Sequence, residues 1–230
     1  MKLFEEQQET PLFAALKKYV EDKTVSFHVP GHKGGKGIPE FRSFVGENIL
    51  SIDVTSGILD LDTICNPLGV IREAEDLAAS AFGADYAHFL VNGTTSGIQA
   101  MILSVAGPGD EIIVPRNAHR SVVGGLILSS AKPVYIKPVI DDYMGIAMGI
   151  TPESVRRAIV EHPNAKAVFV INPTYYGVAS DLKKIVEIAH SYGKPVIVDE
   201  AHGAHLGFHP DLPISAMEAG ADMSAASIHK

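Results

Sequence analysis

Lys194-Pro-Val-Ile-Val-Asp-Glu-Ala-His-Gly-Ala-His205, taken with Ser227-Ile-His-Lys230, decides how the rest of the chain is understood. Val196-Ile-Val198 is a short β-branched run after Gly193 and Pro195, and it ends in the acidic pair Asp199-Glu200, the pattern of a buried strand whose carboxyl end opens into a site. In open α/β sheets ligands bind in the crevice beyond the carboxyl ends of the strands, so Asp199 marks the expected pocket.

One answer to what a carboxylate there would meet is a pyridinium nitrogen. Pyridoxal 5′-phosphate (PLP) works as an electron sink only while its ring nitrogen stays protonated, which a carboxylate beside that nitrogen ensures, and a lysine must hold its aldehyde as a Schiff base. Asp199 and Lys230 can fill these two roles. Taken singly, each has a plainer reading: an Asp at a strand end is often a turn former, and a lone Lys is usually a solvated charge.

The remainder of the chain bounds the class. Its 230 residues suit one large domain or one and a half, and 46% apolar with 20% charged residues is ordinary globular composition. The start, Met-Lys-Leu-Phe-Glu-Glu-Gln-Gln8, has no apolar leader, and no stretch reaches membrane-spanning length. The single cysteine, Cys65, cannot form an internal disulfide and reads as a small packing residue, so a reducing cytoplasm is expected. A net charge of −8 argues against nucleic acid or an anionic membrane as partner.

Along the chain, Thr10-Pro11 opens a short amphipathic helix through Val20. Phe27-His-Val-Pro-Gly-His-Lys-Gly-Gly-Lys-Gly37 is a glycine-rich loop, and Ile49 to Asn66 is an ordered connection rather than a helix. We place an N-terminal arm and connecting segment at residues 1–66 and the large domain at 67–230. Val70 to Phe82 is predicted to be a helix closed by Gly83, with Val70, Ala74, Leu77, Ala78 and Ala81 on the face that packs on the sheet. Tyr86–Val91 is predicted to be a strand running into Asn92-Gly-Thr-Thr-Ser-Gly97, before a helix from about Ile98. Such a turn holds a phosphate through backbone N–H groups, the helix dipole and hydroxyls; a plain helix cap is the alternative.

Glu111–Pro115, Val134–Ile136 and Ala167–Ile171 are further strands. Thr151-Pro152-Glu153 starts one helix, and Ser180 caps another whose stripe is Leu182, Ile185, Val186 and Ala189. The βα alternation implies a doubly wound α/β layer with a mostly parallel sheet.

These stretches carry a resemblance. Asp, a His-rich turn, then Ser-Ile-His-Lys230 is the pattern of fold-type-I PLP enzymes. Pro30-Gly-His-Lys-Gly-Gly35, Asn66-Pro-Leu-Gly-Val-Ile-Arg-Glu-Ala-Glu75 and the two stretches quoted first resemble the prokaryotic ornithine/lysine/arginine decarboxylase family in particular. The resemblance implies the aspartate aminotransferase fold and PLP-dependent decarboxylation of arginine, lysine or ornithine to the amine and CO2, in polyamine-type metabolism. It implies that Thr94, Thr95, Ser96 and Ser227 hold the phosphate and that His119 stacks on the ring. It further implies that His202 contacts the ring or its phenolic oxygen, that His229 sits beside Lys230, and that His32 and Lys33 help form the pocket. An aminotransferase or lyase of the same fold is the nearest alternative, because these motifs do not themselves select which Cα bond breaks.

Two other classes compete for the same residues. Val196-Ile-Val-Asp-Glu-Ala-His202 reads like the Walker B segment of a DEAH-type ATPase, but Pro30–Gly37 fails as a P-loop at two fixed positions. His202, His205 and His209 invite a metal, yet Gly203, Gly207 and Pro210 break any helix that would align them. The resemblance also implies that the family continues past Lys230 into more sheet, a small domain and the substrate-carboxylate ligand. A fragment inactive alone is therefore expected, from a homodimer or higher homo-oligomer.

Overall fold

A computed structural model describes residues 7–55 and 57–230, which divide into two compact units between Phe89 and Leu90.

In the first unit, helix α1 spans Pro11–Glu21, with Pro at its first turn as predicted and no buried residue. Helix α2 is Pro39–Val45 and α3 is Ile49–Ile52, a single turn inside the stretch expected to be only a connection. Helix α4 is Val70–Phe82, closed by Gly83 at φ +68° as predicted. Its buried residues are Ile71, Glu75 and Ala79, the stripe adjacent to the predicted one. The reason is its partner: α4 packs against α1 within this unit, so it joins the N-terminal helices although it lies beyond residue 66. Gly69 at its N-cap has no side chain, and Asp62 substitutes. The Asp62 carboxylate accepts the backbone N–H groups of Thr63, Leu68, Gly69 and Ile71 at 2.7–3.2 Å. Cys65 is exposed, not a packing residue.

Tyr86–Leu90 forms no strand. Its apolar side chains Tyr86, Phe89 and Leu90 stay exposed, and no described strand pairs with it, so a pattern of strand type has no ladder to join. The backbone N–H of Phe89 is taken instead by the Glu75 carboxylate at 3.0 Å.

The second unit is a three-layer α/β sandwich. Its helices are α5 (Gly93–Val105), α6 (Arg120–Ser129), α7 (Pro152–Glu161) and α8 (Leu182–Ser191). Strands β1 (Glu111–Pro115), β2 (Lys132–Ile136), β5 (Val168–Ile171), β6 (Val196–Glu200) and β7 (Met223–Ala226) make one parallel sheet in the order β2-β1-β5-β6-β7. A short antiparallel pair, β3 (Ile140–Asp141) and β4 (Ile146–Ala147), lies apart from it. Two cores follow from the alternation of side chains along each strand. Ile112, Val114, Phe169, Ile197 and Ala225 face α5 and α6, whereas Ile113, Val168, Val170, Val196 and Val198 face α7 and α8.

Local signals start and stop the helices. Thr151 and Ser154 form a reciprocal capping box on α7. Asp181, not Ser180, caps α8, its carboxylate taking the Lys184 N–H at 3.2 Å; the Ser180 backbone N–H is held by Asn172. The sheet changes direction between β1 and β5, from which the chain builds outward both ways, so the loops after β1, β5 and β6 converge on one crevice.

Candidate active site

Strand alternation separates the two adjacent carboxylates. Asp199 continues the Ile197 row toward α5 and α6, and Glu200 continues the Val198 row toward α7 and α8. Asp199 is only 4% exposed, and its Oδ1 accepts the Ala201 N–H at 3.1 Å. Burial pushes its pKa up; that N–H and the nearby His119, Lys230 and His202 pull in the opposite direction. Those three side chains thus share one electrostatic neighbourhood with Asp199, although they follow three different strands.

His119 is the N-cap of α6. Its Nδ1 accepts the Ser121 N–H at 3.2 Å and lies 2.9 Å from the Ser121 hydroxyl, which fixes the ring at the head of the helix. The capping role and a role in the crevice are compatible, since capping engages one ring edge and leaves the face free.

Lys230 ends a turn closed by its own N–H donating to the Ser227 carbonyl at 3.2 Å. Its Nζ lies 3.5 Å from His202 Nε2, at the outer limit of a hydrogen bond. The His202 pKa is lowered, first by desolvation and then by the Lys230 charge, against an opposing pull from Asp199. A neutral imidazole able to accept from an ammonium results. Ser227 is buried, while His229 is exposed.

Helix α5 begins at Gly93 rather than near Ile98, so Thr94, Thr95 and Ser96 form its first turn instead of a preceding loop. Asn92, at the N-cap, makes no side-chain cap, and the first-turn N–H groups are open to a ligand. The Ser96 hydroxyl donates to the Gly93 carbonyl at 2.8 Å. Register places this turn: Asp199 pairs with Ala225, and a Cβ at Gly97 would lie 3.3 Å from the Ala225 Cβ and 2.7 Å from Leu90. Glycine therefore lets the head of α5 sit against the strand beside Asp199, on the same face.

Two residues without an assigned role in the sequence reading lie after β5, of which Tyr175 reaches the site. Tyr175 stands edge-on to His202, ring centroids 5.6 Å apart. Asn172 is fully buried, its Oδ1 accepting the Ser180 N–H at 2.8 Å and its Nδ2 without a partner. The polar run Asn172–Gly177 at a strand's carboxyl end was their only signal. His32 and Lys33 are engaged inside the first unit: His32 Nε2 lies 3.1 Å from Asp53, and Lys33 donates to the His28 carbonyl. Among the described residues no cluster of three or more His, Cys, Asp or Glu is arranged to hold a metal, and no helix is long and apolar enough to cross a membrane.

Comparison with known proteins bears on the same region. A family model described as Orn/Lys/Arg decarboxylase, major domain, matches residues 10–230. An arginine decarboxylase of Bacillus subtilis is 56% identical over 225 residues, covering 97% of this chain and 46% of that protein. A lysine decarboxylase of Pseudomonas aeruginosa is 30% identical over 218 residues, 86% of this chain and 29% of that protein. Among solved structures, lysine decarboxylase A from Pseudomonas aeruginosa matches with TM-score 0.83 at 28% identity, covering 99% of this chain and 34% of that chain. The constitutive lysine decarboxylase of E. coli matches with TM-score 0.79 at 27% identity, covering 96% and 34%. The chain spans about half the length of the Bacillus relatives.

Proposed function

The chain belongs to the Orn/Lys/Arg decarboxylase family, and from that premise we propose that the protein decarboxylates a basic amino acid, arginine before lysine or ornithine, with PLP held at the Asp199 crevice. The observation that carries this reading is Asp199 itself: a buried carboxylate with a raised pKa and a single backbone donor among its hydrogen bonds. Such a group is stabilised by a cationic N–H placed against it, and a protonated pyridine nitrogen is one. The open first turn of α5, bearing three hydroxyl residues, fits a phosphate in the same crevice.

When bound, the cofactor supplies a sink for the electron pair released as the bond from Cα to the carboxylate breaks. Asp199 keeps the proton on the ring nitrogen. Thr94, Thr95 and Ser96, with Ser227, hold the phosphate, and His119 covers one ring face. Lys230 would supply the amine that engages the aldehyde, and in the cofactor-free chain His202, held neutral, can accept from its ammonium and orient it. His229 flanks Lys230. Arginine is put first because relatives named arginine decarboxylase are 54–56% identical to this chain, against 30% for a lysine decarboxylase. Decarboxylation rather than transamination rests on family membership. We further infer a cytoplasmic homodimer or higher homo-oligomer that contributes amines to polyamine metabolism.

The test is an absorbance titration of the full-length protein with PLP, before and after borohydride, with mass spectrometry of the peptide carrying Lys230. Amine release from arginine, lysine and ornithine is measured alongside. A cofactor band fixed onto Lys230, with amine release from one of the three, is the expected result; no band and no fixed mass would overturn the assignment.

A further inference from the structure

The proposed chemistry gives no task to Glu200, although it is 2% exposed and adjoins Asp199. Its side chain lies on the other sheet face, where its Oε1 accepts the Ala216 N–H at 2.7 Å. Its backbone carbonyl accepts the Gly203 N–H at 2.8 Å. Gly203 is folded directly over it: a Cβ there would lie 2.7 Å from Glu200 Cγ and 2.8 Å from Pro173 Cδ. The chain therefore leaves the sheet at Glu200, carries His202 as its second residue, and is tied at Ala216 to the side chain where it left. Glu218, the other carboxylate at this point, is occupied by the N–H and hydroxyl of Ser215. An apolar residue would fill the volume but leave the buried Ala216 N–H unpaired.

We propose that Glu200 is a positioning residue: its carboxyl group closes the excursion from 201 to 216 and so sets where His202 presents its ring to Lys230. The inference rests on the proposed roles of His202 and Lys230, but its geometric part is readable without cofactor. The Cε1–H resonance of His202, identified by its loss in His202→Gln, is recorded in the cofactor-free full chain for wild type, Glu200→Gln and Glu200→Ala. Glutamine keeps an acceptor for Ala216 and is expected to leave the resonance in place; alanine is expected to move it. In the PLP-loaded protein, alanine lowers kcat roughly 10- to 100-fold with KM changed less than about threefold, and glutamine restores it. If Glu200→Ala does not fold, Glu200→Asp, whose carboxyl is one methylene short of the Ala216 N–H, takes its place and is expected to shift the same resonance by less. A His202 resonance unmoved in Glu200→Ala, or in Glu200→Asp where the former is unfolded, overturns the proposal and leaves Glu200 a stability residue only. A moved resonance without PLP on Lys230 would uphold the positioning and sink the cofactor assignment.

Discussion

Lys230 Nζ and His202 Nε2 approach to 3.5 Å from opposite ends of a 28-residue separation, while the edge of Tyr175 bears on the imidazole from the loop after β5. The lysine depresses the imidazole by its charge. Replacing Lys230 by Ala removes that charge, so the His202 titration in the cofactor-free protein is expected to move upward. An NMR pH titration of wild type and Lys230→Ala checks it; a downward or absent shift would mean that the two are not neighbours.

Asp199→Asn is expected to act in opposite directions on the two states. Burial raises the Asp199 pKa, so above the ordinary carboxyl range the group lowers the stability of the cofactor-free fold; the amide removes that burden and raises the melting temperature. The amide cannot keep a proton on a ring nitrogen, so PLP affinity falls about a hundredfold, the loss of one charge-assisted bond. Thermal unfolding and a PLP titration on the same variant give both readings.

Glu200 titrates at about 7 in the fold against 4.5 for the ordinary group, raised first by burial and further by Glu218. A raised carboxyl favours the folded state fully below the lower value and loses that contribution as pH climbs through the upper one. Stability is therefore expected to decline between pH 4.5 and about 7, by on the order of 3 kcal/mol at most. Glu200→Gln flattens this segment of a denaturant-midpoint against pH curve; an unchanged slope contradicts the buried titration.

Asp62 behaves with the opposite sign. Desolvation pushes its carboxyl up, but the loop N–H groups overrule it and bring the pKa from 3.8 to about 2. Its contribution is present above 3.8 and is lost as pH falls through about 2. Asp62→Ala is expected to loosen the start of α4 at neutral pH and to remove the acid dependence in that window. Hydrogen exchange at Gly69 and Ile71, whose N–H groups it holds, reports both effects.

Much of the second unit was legible in the chain. Val196–Val198 is a β-branched run and Val168–Ile171 an apolar one, each bounded by turn formers, and Thr151-Pro152 announces its helix, because local sterics and capping need only neighbours in sequence. The strand read at Tyr86–Val91 had the same local pattern and failed, since a ladder needs a partner that local pattern does not supply. The helix face of α4 was misplaced for a related reason: which of two adjacent stripes is buried depends on the angle at which α1 meets it.

By itself the sequence determined the residue types of the site and their order. It supplied a carboxylate at the end of a buried strand, a hydroxyl run at a helix head, imidazoles after two strands, and a lysine after the last. Tertiary structure alone decided that Asp199 turns toward α5 and α6 while Glu200 turns away, and that His119, His202 and Lys230 share the neighbourhood of Asp199. Side-chain alternation dictates that neighbours in a strand part company, but which face meets which helix is settled only when the sheet order β2-β1-β5-β6-β7 brings distant strand ends to one crevice.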